Sequence, residues 1–215
     1  MLNYRHIIWD WNGTLFDDAW LSVELINAIL RKRQLPPVDA QRYQQDFDFP
    51  IREYYRRVGF DFAKEPYEAL AAEFIAAYDR RNVECGLQPH ADEVVHRFAD
   101  GGYAQTILSA TEQTRLETMV ARFPALRSHF ARLVGLDDFY AASKVDNGKR
   151  LIAELALAPQ EVVLIGDTTH DFAVARAMGI DCILVPSGHH PREKLAQCDA
   201  RLVNSLAELL CFATP

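Results

Sequence analysis

The chain is poor in the residues that staple small folds. Its four cysteines, Cys85, Cys182, Cys198 and Cys211, form no CxxC pair and fit no metal spacing, which excludes a cysteine-built zinc site and leaves free buried thiols as the expectation. No run of apolar residues approaches the length that a membrane span needs. The first residues show no cationic segment followed by a long apolar stretch, so a cytoplasmic protein is expected. Positive charge is also short: the formal net charge is -7, and without a basic face neither nucleic acid nor an anionic membrane is a partner. A small phosphorylated ligand stays open, because a few local cations or a metal ion can hold it. Hydrophobic residues at 49% and charged residues at 25% of 215 positions suit one good core, with room for a smaller accessory domain.

What the chain does have begins at Arg5-His6-Ile7-Ile8-Trp9-Asp10-Trp11-Asn12-Gly13-Thr14-Leu15. The apolar run predicts a short buried strand over residues 5–9, ended by Asp10 and followed by a glycine turn. From Asp18 the period changes to helical, with Leu21, Leu25, Ile26, Ile29 and Leu30 on one stripe and Pro36-Pro37 as its stop. Asp39 reads as a helix cap, Asp46 to Pro50 as an aromatic loop, Ile51 to Val58 as a segment broken at Gly59, and Glu65 to Tyr78 as a strong helix with Pro66 in its first turn. No strand is expected between residues 18 and 85. After Gly86 strands and helices alternate. Strands are predicted at Tyr103–Ser109, Leu133–Leu136, Glu161–Ile165, Cys182–Val185 and Arg201–Val203. Helices are predicted at Ala91–Ala99, Glu112–Arg122, Gly148–Leu157, Phe172–Met178, Arg192–Gln197 and Leu206–Leu210. Such alternation calls for a parallel sheet covered on both faces.

The first strand needs a sheet, and the only one available lies after residue 86. The helical stretch is therefore read as an insertion: an α/β core of residues 1–16 and 86–215, and an all-α unit of residues 17–85 placed over the sheet's carboxyl edge like a lid. At that edge Asp10 and Asp167 each end a strand, and Asp171 falls in the first turn of the next helix. Three converging carboxylates suit a hard divalent cation such as Mg²⁺. Asp171 equally suits the helix dipole. Ser109 ends a second strand, where its hydroxyl and the amides after it can donate to an anion; a serine there also simply starts a turn. Lys144, in a loop before a helix, says nothing alone. In the insertion Arg52, with Arg56 and Arg57 nearby, can reach a second anionic group of a ligand or lie on a solvated face. The tyrosines and phenylalanines around it read as packing of the insertion, not as a ligand platform.

Taken together, Asp10-x-Asn12-Gly13-Thr14-Leu15 after a strand, Ser109 after a strand, Lys144, and Gly166-Asp167-x-x-x-Asp171 resemble the haloacid dehalogenase (HAD) superfamily over essentially the whole chain. The group most similar is that of phosphoglycolate-phosphatase-like and β-phosphoglucomutase-like members, whose helical cap the insertion resembles. The resemblance implies a Rossmann-like core and a Mg²⁺-dependent phosphatase acting on a small phosphorylated metabolite, as monomer or homodimer. Asp10 would be the nucleophile that forms an aspartyl phosphate. Mg²⁺ would be held by Asp10, the Asn12 carbonyl, Asp167 and Asp171. Thr14, Ser109, Ala110 and Lys144 would meet the substrate, together with Arg52. Lys149 is the alternative to Lys144.

One position departs from the pattern. Family phosphatases carry an aspartate two residues after the nucleophile as general acid and base, and this chain carries Asn12, whose amide has no proton to exchange at neutral pH. Losing such an acid costs about 10²- to 10⁴-fold in rate, least for good leaving groups such as aryl or acyl phosphates. Three readings compete: a phosphatase that tolerates the loss or borrows a carrier, with His170 first and His189 and His190 next; a catalytically weak binder of a phosphorylated ligand or partner; or different chemistry. Family dehalogenases and phosphonatases carry tyrosine or alanine here, and Lys32 and Lys64, the lysines of the insertion, do not resemble the phosphonatase's catalytic lysine. A phosphomutase needs proton transfer in both directions and is disfavoured.

Overall fold

The computed structural model describes residues 4–136 and 144–212. In chain order its elements are β1 (His6–Trp9), α1 (Ala19–Lys32), α2 (Ala40–Asp46), α3 (Ile51–Arg57), α4 (Tyr67–Arg81), α5 (Ala91–Asp100), β2 (Ala104–Glu112), α6 (Gln113–Ala121), α7 (Pro124–Arg127), β3 (Arg132–Leu136), α8 (Lys144–Leu155), β4 (Val162–Gly166), α9 (Thr169–Met178), β5 (Asp181–Leu184), α10 (Arg192–Leu195), β6 (Arg201–Leu202) and α11 (Leu206–Leu209). The six strands form one sheet in the order β3-β2-β1-β4-β5-β6, parallel throughout. Chain direction across the sheet reverses at β1, whose neighbours are β2 and β4. That reversal opens the crevice at the carboxyl ends of β1 and β4 where α/β sheets bind ligands.

Alternation along the strands divides the interior into two layers. Ile7, Trp9, Ile107, Val163, Ile165 and Ile183 point to the layer built with α5, α6 and α11. Ile8, Leu108, Leu164 and Leu184 point to the opposite layer, against α8 and α9. With both faces covered, β4 reads as an uninterrupted apolar run and is buried at every residue. Registers Trp9↔Ile107 and Trp9↔Ile165 bring the ends of three strands level, so the residues that follow them meet.

Between β1 and β2 the described chain is helical, and α1 to α4 carry an apolar cluster of their own, including Ile26, Leu30, Tyr43, Tyr54, Tyr55 and Leu70. The amino-terminal half of α1 instead joins the sheet's core through Leu21 and Leu25. Predicted boundaries move at three points near the site. β2 runs on to Glu112, so Ser109 lies within the strand and does not end it. α9 starts at Thr169, three residues early, because Thr168 and Asp171 form a capping box. α8 is helical from Lys144, so that lysine belongs to the helix start and not to a loop; Ala142 and Ser143 lie outside the described residues. All four cysteines are free; Cys85 and Cys182 are buried, but Cys211 is exposed.

The buried His6 on β1 makes a hydrogen bond with Thr106 at 2.9 Å. Burial, and then the charge of Arg132, lower its pKa to about 4. In the unfolded chain the imidazole takes its proton near pH 6.5, so the stability it contributes is complete above that value and is lost as pH falls toward 4. At pH 5 the loss is about 2 kcal/mol. Urea melts at pH 7 and pH 5 will show a smaller acid loss in His6→Gln than in the native protein.

Candidate active site

Asp10 leaves β1 with its amide bonded to the Ile165 carbonyl at 2.9 Å, and the residue is buried. Lys144 Nζ, at the start of α8, donates to Asp10 Oδ1 at 2.5 Å and to Asp171 Oδ1 at 2.5 Å. Thr14 Oγ1 lies 2.8 Å from Asp167 Oδ1 and 3.2 Å from Asp10 Oδ2. Asp171 accepts at Oδ2 from the Thr168 amide at 3.0 Å and from its hydroxyl at 2.6 Å. One residue thus caps the helix and faces the site. Asp167 Oδ2 accepts from the His189 amide at 2.6 Å. Asp10, Asp167 and Asp171 each offer an oxygen within 4.8 Å of the others.

Glycines let these groups approach. Gly13 has φ +77°, which a side chain rarely adopts, and any Cβ there would strike the Asp167 carboxyl and His189. A Cβ at Gly188 would meet Gly13 and Asp167, and one at Gly166 would overlap Asp171.

Three buried carboxylates face one ammonium. Burial, and then the charges of Asp171 and Asp167, push Asp10 up to about 8 against the pull of Lys144. Burial and Asp171 raise Asp167 to about 6 against the pull of His189. Burial favours a neutral Lys144, but Asp10 and Asp171 overcome it and hold the ammonium protonated. The cluster carries more negative charge than its lysine neutralises, which is the condition a divalent cation relieves.

Asn12 is bonded in all four directions that an amide offers. Nδ2 donates to Asp18 Oδ2 at 2.8 Å and to the Tyr78 hydroxyl oxygen at 2.9 Å. Oδ1 accepts from Thr111 Oγ1 at 2.7 Å and, weakly, from Ser109 Oγ at 3.4 Å. Tyr78 in turn donates to Asp18 Oδ2 at 2.6 Å, and the Gly13 amide donates to Asp18 Oδ1 at 3.0 Å. His189 Nε2 stands 3.5 Å from Asp18 Oδ1, and its Nδ1 is 2.8 Å from the Tyr43 hydroxyl. Burial alone would lower the His189 pKa, but the Asp18 hydrogen bond and charge, with Asp167 and Asp10, raise it to about 9. Burial likewise opposes ionisation of Asp18, yet His189, Tyr78 and Asn12 hold its pKa below the ordinary value.

A cavity of about 300 Å³ opens on this cluster. Asp10, Asn12, Ser109, Ala110, Lys144 and Asp171 line its floor, and Tyr43, Phe47, Phe49, Tyr54, Tyr67 and Phe74 from the inserted helices line its wall. The aromatic residues thus pack together and also face the cavity, where sequence had suggested packing alone. Two expected substrate contacts lie elsewhere. Thr14 is fully buried behind the carboxylates and is not part of the cavity lining. Arg52 is exposed, stands over Phe62 and Tyr67 with its guanidinium carbon 5.2 Å and 5.9 Å from the ring centres, and does not line the cavity either. The arginine that does is Arg115, forked onto Asp79 at 2.5 and 2.9 Å. Lys149 is exposed.

Of the three histidines, His170 lines the cavity and stacks on Phe49 at 4.3 Å, with burial and then Lys144 lowering its pKa. His189 also lines it. His190 is fully buried, receives the Thr169 amide at Nδ1 and meets the Phe47 carbonyl at Nε2; both nitrogens are spent on holding loops together. Sequence reasoning gave no role to Asp18, Tyr78, Thr111, Tyr43 or Arg115. Asp18 opens the helical segment soon after the first strand, but its partners Tyr78 and His189 are 60 and 171 residues away.

The family model described as haloacid dehalogenase-like hydrolase matches residues 7–185. The chain belongs to that family. A phosphoglycolate phosphatase of Caulobacter vibrioides is 30% identical over 197 residues, 87% of this chain and 81% of that one. Another, of Synechococcus elongatus, is 25% identical over 97% of this chain and 96% of its own length. Among solved structures, a haloacid dehalogenase-like family hydrolase of Streptococcus pneumoniae superposes with a TM-score of 0.85 at 19% identity, covering 100% of both chains. The chain is thus a HAD-family hydrolase with phosphatase relatives and a Rossmann-like α/β core. No helix among its described residues is long and apolar enough to cross a membrane.

The network around Asn12 makes a prediction. An aspartate at position 12 would set a second carboxylate against Asp18 in place of an amide donor, and its pKa would rise in the folded state. A raised carboxyl contributes stability that is complete below about pH 4 and is lost as pH climbs through the folded value. Asn12→Asp will therefore be more destabilised relative to the native protein at pH 8 than at pH 5 in urea melts.

Proposed function

We propose that this hydrolase is a Mg²⁺-dependent phosphatase of a small phosphorylated metabolite that works through an aspartyl phosphate on Asp10. The observation that carries the reading is Lys144 Nζ, 2.5 Å from both Asp10 and Asp171, at the floor of the cavity. Residues 1–16 and 86–215 act as the catalytic core and residues 17–85 as its cap. Asp10, Asp167, Asp171 and the Asn12 carbonyl would hold the metal, a donor set of hard oxygens whose excess charge fits Mg²⁺. Bound there, Mg²⁺ neutralises phosphoryl oxygens and keeps the carboxylates ionised.

The rest belongs to the chain's own groups. Lys144 Nζ orients Asp10 Oδ1 and, with the Ser109 hydroxyl and the amides after it, balances charge on the phosphoryl group. Thr14 acts from behind, fixing Asp10 and Asp167 relative to each other, in place of the substrate contact that its motif suggested. The cap shields phosphoryl transfer from bulk solvent, and a single admitted water then hydrolyses the acyl phosphate. A catalytically weak binding protein is the second reading, supported by the fully bonded Asn12 amide, which has no acid proton to give.

Release of inorganic phosphate from 4-nitrophenyl phosphate in the presence of Mg²⁺ tests the proposal. EDTA will remove activity and Mg²⁺ will restore it. Asp10→Asn will be inactive, and Lys144→Met will lose about 10²- to 10³-fold while keeping a folded circular-dichroism spectrum. Borohydride trapping during turnover will convert residue 10 to homoserine. Activity surviving in Asp10→Asn overturns the nucleophile.

A further inference from the structure

Two independent features of the cavity bear on the leaving group. The first is its lining. Among the described lining residues, lysine and arginine are represented by Lys144, held by Asp10 and Asp171, and by Arg115, forked onto Asp79. Both are held by carboxylates, and Arg52 is outside. The wall is instead aromatic, built from Tyr43, Phe47, Phe49, Tyr54, Tyr67 and Phe74. The second feature is Asn12, which stands beside the nucleophile where a proton would be handed to the departing oxygen and carries none.

We propose that the phosphatase site takes aryl phosphates: phosphomonoesters of a phenol whose ring enters the aromatic wall. The inference rests on the phosphatase reading above. A phenol ionises near pH 10, whereas an alkoxide is about as basic as hydroxide, near pKa 16. A phenolate therefore departs without a donor at position 12. As the Asp10 carboxylate oxygen bonds to phosphorus, the phosphorus–aryl oxygen bond breaks, and its electron pair leaves on the phenolate, which solvent protonates. Water then attacks phosphorus, the bond to Asp10 breaks and restores the carboxylate, and the water's protons leave with the released phosphate. The ring gains area against Phe47, Phe49 and Phe74 that an aliphatic acid cannot use.

Steady-state phosphate release by the native enzyme with Mg²⁺ separates the possibilities, using phenyl phosphate, benzyl phosphate and 2-phosphoglycolate, with Asp10→Asn as control. Phenyl phosphate is expected to exceed 2-phosphoglycolate in kcat/KM by about 10²-fold or more. Benzyl phosphate, with the ring but an alkoxide leaving group, is expected to match phenyl phosphate in KM and to fall far below it in kcat. Asp10-dependent turnover in which 2-phosphoglycolate or benzyl phosphate equals phenyl phosphate overturns the aryl assignment and leaves the phosphatase standing. Turnover of none of the three overturns both.

Discussion

A buried ammonium held between two buried carboxylates, with a third carboxylate in the same cluster, is an expensive thing to place at the centre of a protein. Desolvation of four charged groups works against folding, and their mutual attraction recovers it only where every remaining lone pair is satisfied. Each carboxylate around Lys144 has donors of its own. Asp171 is completed by Thr168, Asp167 by Thr14 and the His189 amide, and Asp10 by Thr14 and Lys144. Gly13, Gly166 and Gly188 are glycine because any side chain would occupy the space these oxygens fill. Level strand ends, a helix start and a turn all converge on one charge balance, which is why the sheet's point of reversal is also its site.

How much of this is legible in the sequence depends on how far the partners lie apart along the chain. Asp10 and Asp167 announce themselves because each follows a short apolar run that can only be a buried strand, and strand ends are where parallel sheets place ligands. The capping role of Asp171 is equally local. Lys144 is not: nothing in its own neighbourhood distinguishes it from Lys149, and only the family resemblance singles it out. Arg52 and Arg115 show the opposite failure. Both are basic residues near a helix start, but Arg52 turns onto Phe62 and Tyr67, while Arg115 reaches Asp79 across the cavity's edge. Only the packing of α4 against the sheet domain decides between them, and no periodicity encodes it.

Asn12 is better understood as half of a pair than as a missing residue. Its amide hydrogens serve Asp18 and Tyr78, and its oxygen serves Thr111. A carboxylate in its place would confront the ionised Asp18 directly. The negative charge beside position 12 is that of Asp18, six residues on, with His189 Nε2 3.5 Å from it. The asparagine is thus built into the surrounding bonds.

The inserted helices do more than cover this arrangement. Tyr78 of α4 and Tyr43 of α2 end inside the polar network, on Asp18 and His189. Gln44 of α2 donates to the Gly188 carbonyl, and Lys194 of α10 donates to the Phe47 carbonyl. These bonds hold the aromatic wall at a fixed distance from Asp10. A ligand ring seated on this wall, as proposed, would displace water, and each charge on the floor would then act through a lower dielectric. The rings proposed to select the ligand would thus also strengthen the field of Lys144 on Asp10. Substitutions in the wall should therefore disturb binding and rate together.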